Sequence, residues 1–308
     1  MTRTYGIGFG TFFLTQCLFK GSVSLGGVLL KAEERAASSV TWLDDNGMVL
    51  APSKSKLLLV GTKELLKSRA GQQEAIFNLA GKTLKSTQSE KLLGLVLNSN
   101  MTWATHLWGE TWRDKDNWLG LVPQLSKRVG IIKKLSRILP SNSLKSLVSG
   151  IFTSKLLFGL SVMGGCWQPN QNRAGQDTRT LQCPQNKILR IMVKDTTGEK
   201  STKQLLEETG QMSVHQLCWW TALQVVQKCL RTGKPKWLMG RLEVQYSARR
   251  GTQIKVEFAR LNLRMESLAI KAVQLWNGLP ESVNELPPEQ WRRAASNWVK
   301  ANVPIRPE

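Results

Sequence analysis

Acidic residues are scarce in this chain: 22 Asp and Glu stand against 43 Lys and Arg in 308 residues, and no Asp precedes Asp44. A formal charge of +21 and a pI near 10.1 point to a polyanionic partner, RNA or DNA held through its phosphate backbone, and away from a small-molecule substrate. Histidine is nearly absent, with only His106 and His215. The cysteines, Cys17, Cys166, Cys183, Cys218 and Cys229, are odd in number and form no C-x-x-C pair, which excludes a disulfide frame and fits reduced thiols in an intracellular protein. His215 and Cys218 stand i, i+3, but no further ligands follow in a zinc spacing, so core packing is the expected role. Long apolar runs are missing too. The one candidate read from the sequence, "YGIGFGTFFLTQCLF", is about 15 residues and is cut by Gly6, Gly8, Gly10 and Gln16, too short to span a membrane. No small-residue cleavage site follows it as a signal peptide would need, and no membrane partner is expected. Internal repeats and sustained heptads are also lacking.

What is present divides by texture. Residues 1–30 are Gly-rich without a stable period and receive no assignment. Ala36, Val40 and Leu43 share a helical face, and Asn46-Gly47 supplies a left-handed C-cap, so a helix over 32–45 is expected. The rival reading pairs "SVTWL" with "MVLA" as a hairpin around Asp-Asn-Gly, which would set Asp44 and Asp45 on a turn where a metal could bind them. A strand is expected to begin near Met48 and to pair with the run through Leu92–Leu97, and "KSKLLLVGT" and "KLLGLVLNS" read as short strands of a small sheet. After Trp103 the pattern turns helical. Over 125–139, Leu125, Val129, Ile132, Leu135 and Leu139 form one face, while Lys127, Lys133, Lys134 and Arg137 form another. Pro140 ends this helix and a more apolar one follows, making an antiparallel pair.

"QPNQNRAGQDTRT" reads as a linker, followed by helices at "PQNKILRIMV", at "TKQLLEE" capped by Ser201, and at "VHQLCWWTALQVVQKCL", ended by Gly233 and Pro235. Residues 240–262 are basic and poorly periodic, and "MESLAIKAVQLW" and "PEQWRRAASNWV" read as the last helices, with Pro288 in the first turn. Trp219, Trp220, Trp237, Trp276, Trp291 and Trp298 lie beside Ala and Leu at helical spacing, which favours core packing over base stacking.

In this order and spacing the motifs resemble the C-terminal half of a non-LTR retrotransposon reverse transcriptase of the jockey type. "WLDDNGMVLAPSKSKLLLVGT" is similar to the segment that follows that family's catalytic hairpin. "EKLLGLVLNSNMTW" resembles its next block, with Leu93-Gly94 at the primer-grip turn. "LSKRVGIIKKLSRILP" and "LVSGIFTSKLLFGLSVMGGCW" resemble thumb helices, "LQCPQNKILRIM" the Q-N-K-x-x-R helix, and "IKAVQLWNGLPESV" the C-terminal W-N-x-L-P box.

The resemblance implies an α+β chain, predominantly α-helical. Residues 31–104 would be a palm remnant with motif-D-like and primer-grip-like segments, 105–168 thumb-like helices and 169–308 a C-terminal helical region. It also implies that Asp44 and Asp45 close a helix, because the family's metal aspartates lie upstream of the Trp-containing helix. The Mg²⁺ of the intact parent enzyme would then have no cage here, no cofactor is expected, and a chain alone is expected to be inactive as an RNA-directed DNA polymerase. Ala51, where the family usually has Asn, departs from the pattern. Lys54 matches a lysine that would act on leaving pyrophosphate; without a triphosphate site a solvated loop lysine is the better expectation. Asp114 and Asp116 receive no role. Between Leu125 and Phe158 there are seven Lys or Arg and no acid. On that basis Lys127, Arg128, Lys133, Lys134, Arg137 and Lys145 are the expected nucleic-acid contacts, made to phosphates without reading sequence. Two alternatives stand beside this: a polymerase whose missing palm and fingers come from another chain, and a retroelement relic without function.

Overall fold

A computed structural model describes residues 25–49, 55–60, 76–79, 81–100, 102–109, 119–164, 172–247, 251–256 and 268–305. It is mainly helical with three small sheets. The chain divides into two compact units, Met1–His106 and Leu107–Glu308.

The first unit opens with helix α1 (Leu25–Asp45). Gly47 adopts φ 67°, the Met48 amide donates to the Leu43 carbonyl at 2.9 Å and the Gly47 amide to Asp44 at 3.0 Å, a Schellman ending that needs a residue tolerant of the left-handed region. "SVTWL" is therefore helix, not strand, and Asp44 and Asp45 are exposed residues of its last turn. Strands β1 (Leu57–Leu58), β2 (Ile76–Leu79) and β3 (Lys82–Thr87) form one sheet in the order β1-β3-β2. Phe77 and Leu84 face each other across β2 and β3 and are buried with Ala36 of α1. The Glu33 carboxylate accepts the Asn78 amide at 2.8 Å, tying α1 to β2.

Among the described residues no strand near Met48 pairs with Leu92–Leu97. Instead β1 runs parallel to β3, and "KLLGLVL" folds on itself as a hairpin, β4 (Ser89–Leu92) with β5 (Leu95–Asn98). The reason is local: Leu93 (φ 49°) and Gly94 (φ 86°) are consecutive left-handed residues, and such two-residue turns match the twist of antiparallel strands. Val96 is buried and its amide donates to His106 Nδ1 at 3.2 Å. His106 lies in helix α2 (Ala104–Trp108).

In the second unit α3 (Leu121–Leu135) buries Leu121, Val122, Leu125, Val129 and Ile132. Helix α4 (Ser141–Leu147) continues through a π-helical stretch (Val148–Thr153) into α5 (Ser154–Leu157), and Gly159 (φ 73°) separates this from α6 (Leu160–Gly164). Leu144, Val148, Phe152 and Leu156 keep to one buried face at four-residue spacing, a row that the wider π turn helps to align. Ser141–Met163 is the one run among the described residues long and apolar enough to cross a membrane, a candidate the sequence reading did not single out. Within it Leu144, Val148, Phe152, Leu156, Leu160 and Met163 are buried in the protein, while Phe158, Val162, Ser146, Ser149 and Ser154 are exposed.

From Asn172 onward the "linker" is helix as well. Helix α7 (Asn172–Val193) begins inside it and passes through Pro184. Interior proline costs a helix about 3 kcal/mol in isolation. Here Leu181, Ile188 and Leu189 are buried, and four polar side chains tie the helix to its neighbours, as described below. Helices α8 (Thr202–Thr209) and α9 (Val214–Thr232) start with capping boxes, Ser201 with Gln204 and Ser213 with Gln216, and both end at left-handed glycines, Gly210 and Gly233. Beyond α10 (Lys236–Met239), the stretch read as aperiodic forms a hairpin, β6 (Val244–Ser247) with β7 (Gly251–Ile254). Helices α11 (Leu268–Gly278), α12 (Glu281–Asn284) and α13 (Pro288–Asn302) close the chain.

The tryptophans do build a core. Trp219, Trp276 and Trp291 are buried, and Trp291 lies between Trp220 (centroids 5.7 Å, planes 19° apart) and Trp276 (6.1 Å, 29°), two offset contacts of the kind aromatic pairs favour. Trp298 is half-buried, and the Trp237 side chain lies outside the described residues.

Candidate nucleic-acid interface

Helix α3 presents its buried residues on one side, so residues about half a turn away must face water. Lys127 and Lys134 stand opposite the buried row and Lys133 on its flank, all three exposed. Arg137, in the turn after α3, and Lys145, on α4, are exposed too. Between them lie Ile131, 50% exposed, and Ile138, 81% exposed. Among the described residues none of these five cations makes an ion pair; the pairs are Arg190–Asp195, Lys200–Glu208, Lys203–Glu207 and Lys255–Glu243. With no acid from Leu125 to Phe158, the segment supplies no counter-charge of its own.

Arg128 stands apart from that group. It is half-buried, and its guanidinium donates to the Ile151 carbonyl in the π-helical stretch, joining α3 to the following helix. Leu93 and Gly94 form the β4–β5 turn, with Leu93 exposed. Lys54, Ala51, Asp114, Asp116, Arg249 and Arg250 lie outside the described residues.

Asp44 and Asp45 close a helix, at its electronegative end, where the backbone dipole does not favour further negative charge. A two-metal phosphoryl-transfer cage needs carboxylates from separate elements converging on ions about 4 Å apart. Among the described residues no three His, Cys, Asp or Glu side chains come together in that way.

His215 and Cys218 are core residues. The Trp219 indole N–H donates to His215 Nε2 at 3.2 Å, and the Cys218 thiol donates to the Val214 carbonyl at 3.0 Å. Burial pushes the Cys218 thiol well up, and the Cys229 thiol up, away from the thiolate that a metal or a nucleophile would need.

Two of the motif segments turn out to be clasps. In "LQCPQNKILR", the Gln182 amide donates to Gln185 and Asn186, and Gln182 Oε1 accepts the Val214 amide at 2.9 Å. Gln185 donates to the Met212 carbonyl and Asn186 to Thr202 Oγ1, so α7 grips the starts of both α8 and α9. Arg190 organises the next loop, lying 3.5 Å from Asp195 and donating to the Lys200 carbonyl. Burial pushes the Asp195 carboxyl up, but the Gly198 amide, the Thr197 hydroxyl and Arg190 outweigh it and hold it below its ordinary value.

In "WNGLP", Trp276 joins the tryptophan stack and Leu279 is buried. The Asn277 amide pairs with the backbone of Ile254: Oδ1 accepts its N–H at 2.9 Å and Nδ2 donates to its carbonyl at 2.7 Å. A Cβ on Gly278 would stand 3.3 Å from the Trp298 ring, and Pro280 caps α12. No amino acid but Asn has this amide at this reach. Asn277→Ala is expected to destabilise the second unit by about 2–4 kcal/mol, since both backbone groups of a buried residue lose their partner. Thermal unfolding checks this, and an unchanged midpoint would show that the clasp bears no weight.

Comparison with known families, with curated proteins and with solved structures gives no match to this chain.

Proposed function

We propose that this chain binds RNA or DNA independently of sequence, through the α3–α4 face, and that it descends from the palm end, thumb and C-terminal region of a jockey-type reverse transcriptase. The observation that carries the binding is the cluster of Lys127, Lys133, Lys134, Arg137 and Lys145, exposed and without ion pairs among the described residues. Each such cation that meets a phosphate releases a condensed counterion, so affinity should fall steeply with salt. A fluorescence-anisotropy titration of the purified chain on a labelled oligonucleotide of arbitrary sequence, repeated at several salt concentrations, tests it. Binding that is absent, or indifferent to salt, overturns it.

The lineage is supported by the five motif blocks in order, and the fold agrees with the mainly helical architecture they imply. Polymerase activity is a separate matter. Given primer, template, Mg²⁺ and all nucleotides, the chain is expected to extend nothing. Extension above a no-enzyme control, abolished by Asp44→Ala with Asp45→Ala, would reverse that expectation.

A further inference from the structure

The β6–β7 strand pair is tied to the core at its base. At its base Ile254 is 1% exposed in the tryptophan core, Asn277 holds both of its backbone groups, and the Lys255 amide donates to the Glu243 carbonyl at 2.8 Å. The Glu243 and Lys255 side chains pair across the strands at 2.7 Å. Residues directly opposite in a ladder share a sheet face, so Val244, Ile254, Tyr246 and Thr252 lie on the same side. That side is core at Ile254 and solvent one pair further on, where Tyr246 is 80% exposed and Thr252 is exposed. Val244, Gln245 and Tyr246 of β6 are exposed. Tyr246 is more exposed than the exposed Trp42, Trp108 and Phe158. Its ring is thus open to solvent on a strand pair whose base is tied to the core.

An aromatic ring that is 80% exposed, on a chain of net charge +21, matches an unpaired base: every base has a π-face, and the strand pairing has already ordered the backbone that carries the ring. We propose that Tyr246 is a stacking contact for unpaired bases of single-stranded nucleic acid, a second contact beside the α3–α4 face. The inference rests on the nucleic-acid reading above but uses a different force. Phosphate contacts set the salt slope, whereas stacking is largely indifferent to salt.

Binding of labelled oligothymidylate and of a blunt duplex to the full chain, with wild type, Tyr246→Ala and Tyr246→Phe, tests it. Tyr246→Ala is expected to weaken single-strand binding about five- to a hundredfold, with the salt slope unchanged. Tyr246→Phe keeps the π-face and should bind as wild type. The duplex, whose bases are already stacked, should respond little to either change. The proposal falls if Tyr246→Ala binds the single strand as wild type does, if Tyr246→Phe loses as much as Tyr246→Ala, or if the duplex loses equally. Wild type that binds neither ligand removes the α3–α4 reading as well, which separates the two failures. Unchanged circular dichroism and melting confirm that the variants are folded.

Discussion

Alanine at Lys127, Lys133, Lys134 and Arg137 together is expected to flatten the salt dependence of binding by about three to four units of slope on duplex and somewhat less on single strands. The magnitude follows from counterion release, about 0.9 per duplex phosphate contact and about 0.7 on a single strand. The loss should be similar for every sequence, because point charges on a helix face carry no base readout. Stability should hardly change. All four side chains are exposed and make no ion pair among the described residues, and alanine is the best helix former. The buried row Leu121, Val122, Leu125, Val129 and Ile132 is untouched, so unchanged circular dichroism should accompany the weakened binding. Arg128→Ala is the contrasting control. Because its guanidinium bonds the Ile151 carbonyl, its removal should lower the melting point while moving the slope little. A quadruple variant that binds as tightly and as salt-sensitively as wild type would show that the lysines are only a solvated face.

The cations were legible in the sequence because exposure on an amphipathic helix follows from period alone. So were the local signals. Ser201 and Ser213 form capping boxes with glutamines three residues on, Gly47 and Gly233 end their helices, and Pro288 opens α13. What could not be read depends on partners far along the chain. "QPNQNRAGQDTRT" has linker composition, yet from Asn172 it is helix, because α7 is anchored through Gln182, Gln185, Asn186 and Arg190 to residues 10 to 32 positions away. The β6–β7 hairpin carries no alternation of buried and exposed residues over Val244–Tyr246, all three of which are exposed; it is held by Asn277, 23 residues beyond Ile254. A resemblance can flag Asn277 as part of a box. Only the fold shows that the box is a mounting.

The largest loss of stability is expected from Gly120→Ala, one methyl group placed where two backbone segments cross. Gly120 precedes the first turn of α3, and Leu119 makes an isolated antiparallel bridge with Gly109. A Cβ on Gly120 would lie no farther than 2.5 Å from the Trp108 carbonyl carbon, the Gly109 nitrogen and the Leu107 carbonyl oxygen. All three are backbone atoms, so no side chain can rotate away and the crossing itself must open. Leu107 and Leu121 lie on either side of it and are fully buried, which makes that opening costly. The expected cost is about 3 kcal/mol or more, at or above the upper end for overpacked sites, and a fall of the melting point by about 6–12 °C in a unit of this size. Gly130→Ala is the internal comparison: the same methyl, ten positions on in α3, meets nothing within 4 Å and should stabilise by about 1 kcal/mol through helix propensity. Gly130 also lies among the exposed lysines, so its replacement should leave the salt slope intact. Opposite signs from identical chemistry would show that close backbone approach at Gly120, and not glycine's flexibility, seats α3 and with it the basic face. A Gly120→Ala chain that melts with the wild type would mean that the crossing at Leu107–Gly109 is not held as the structure has it.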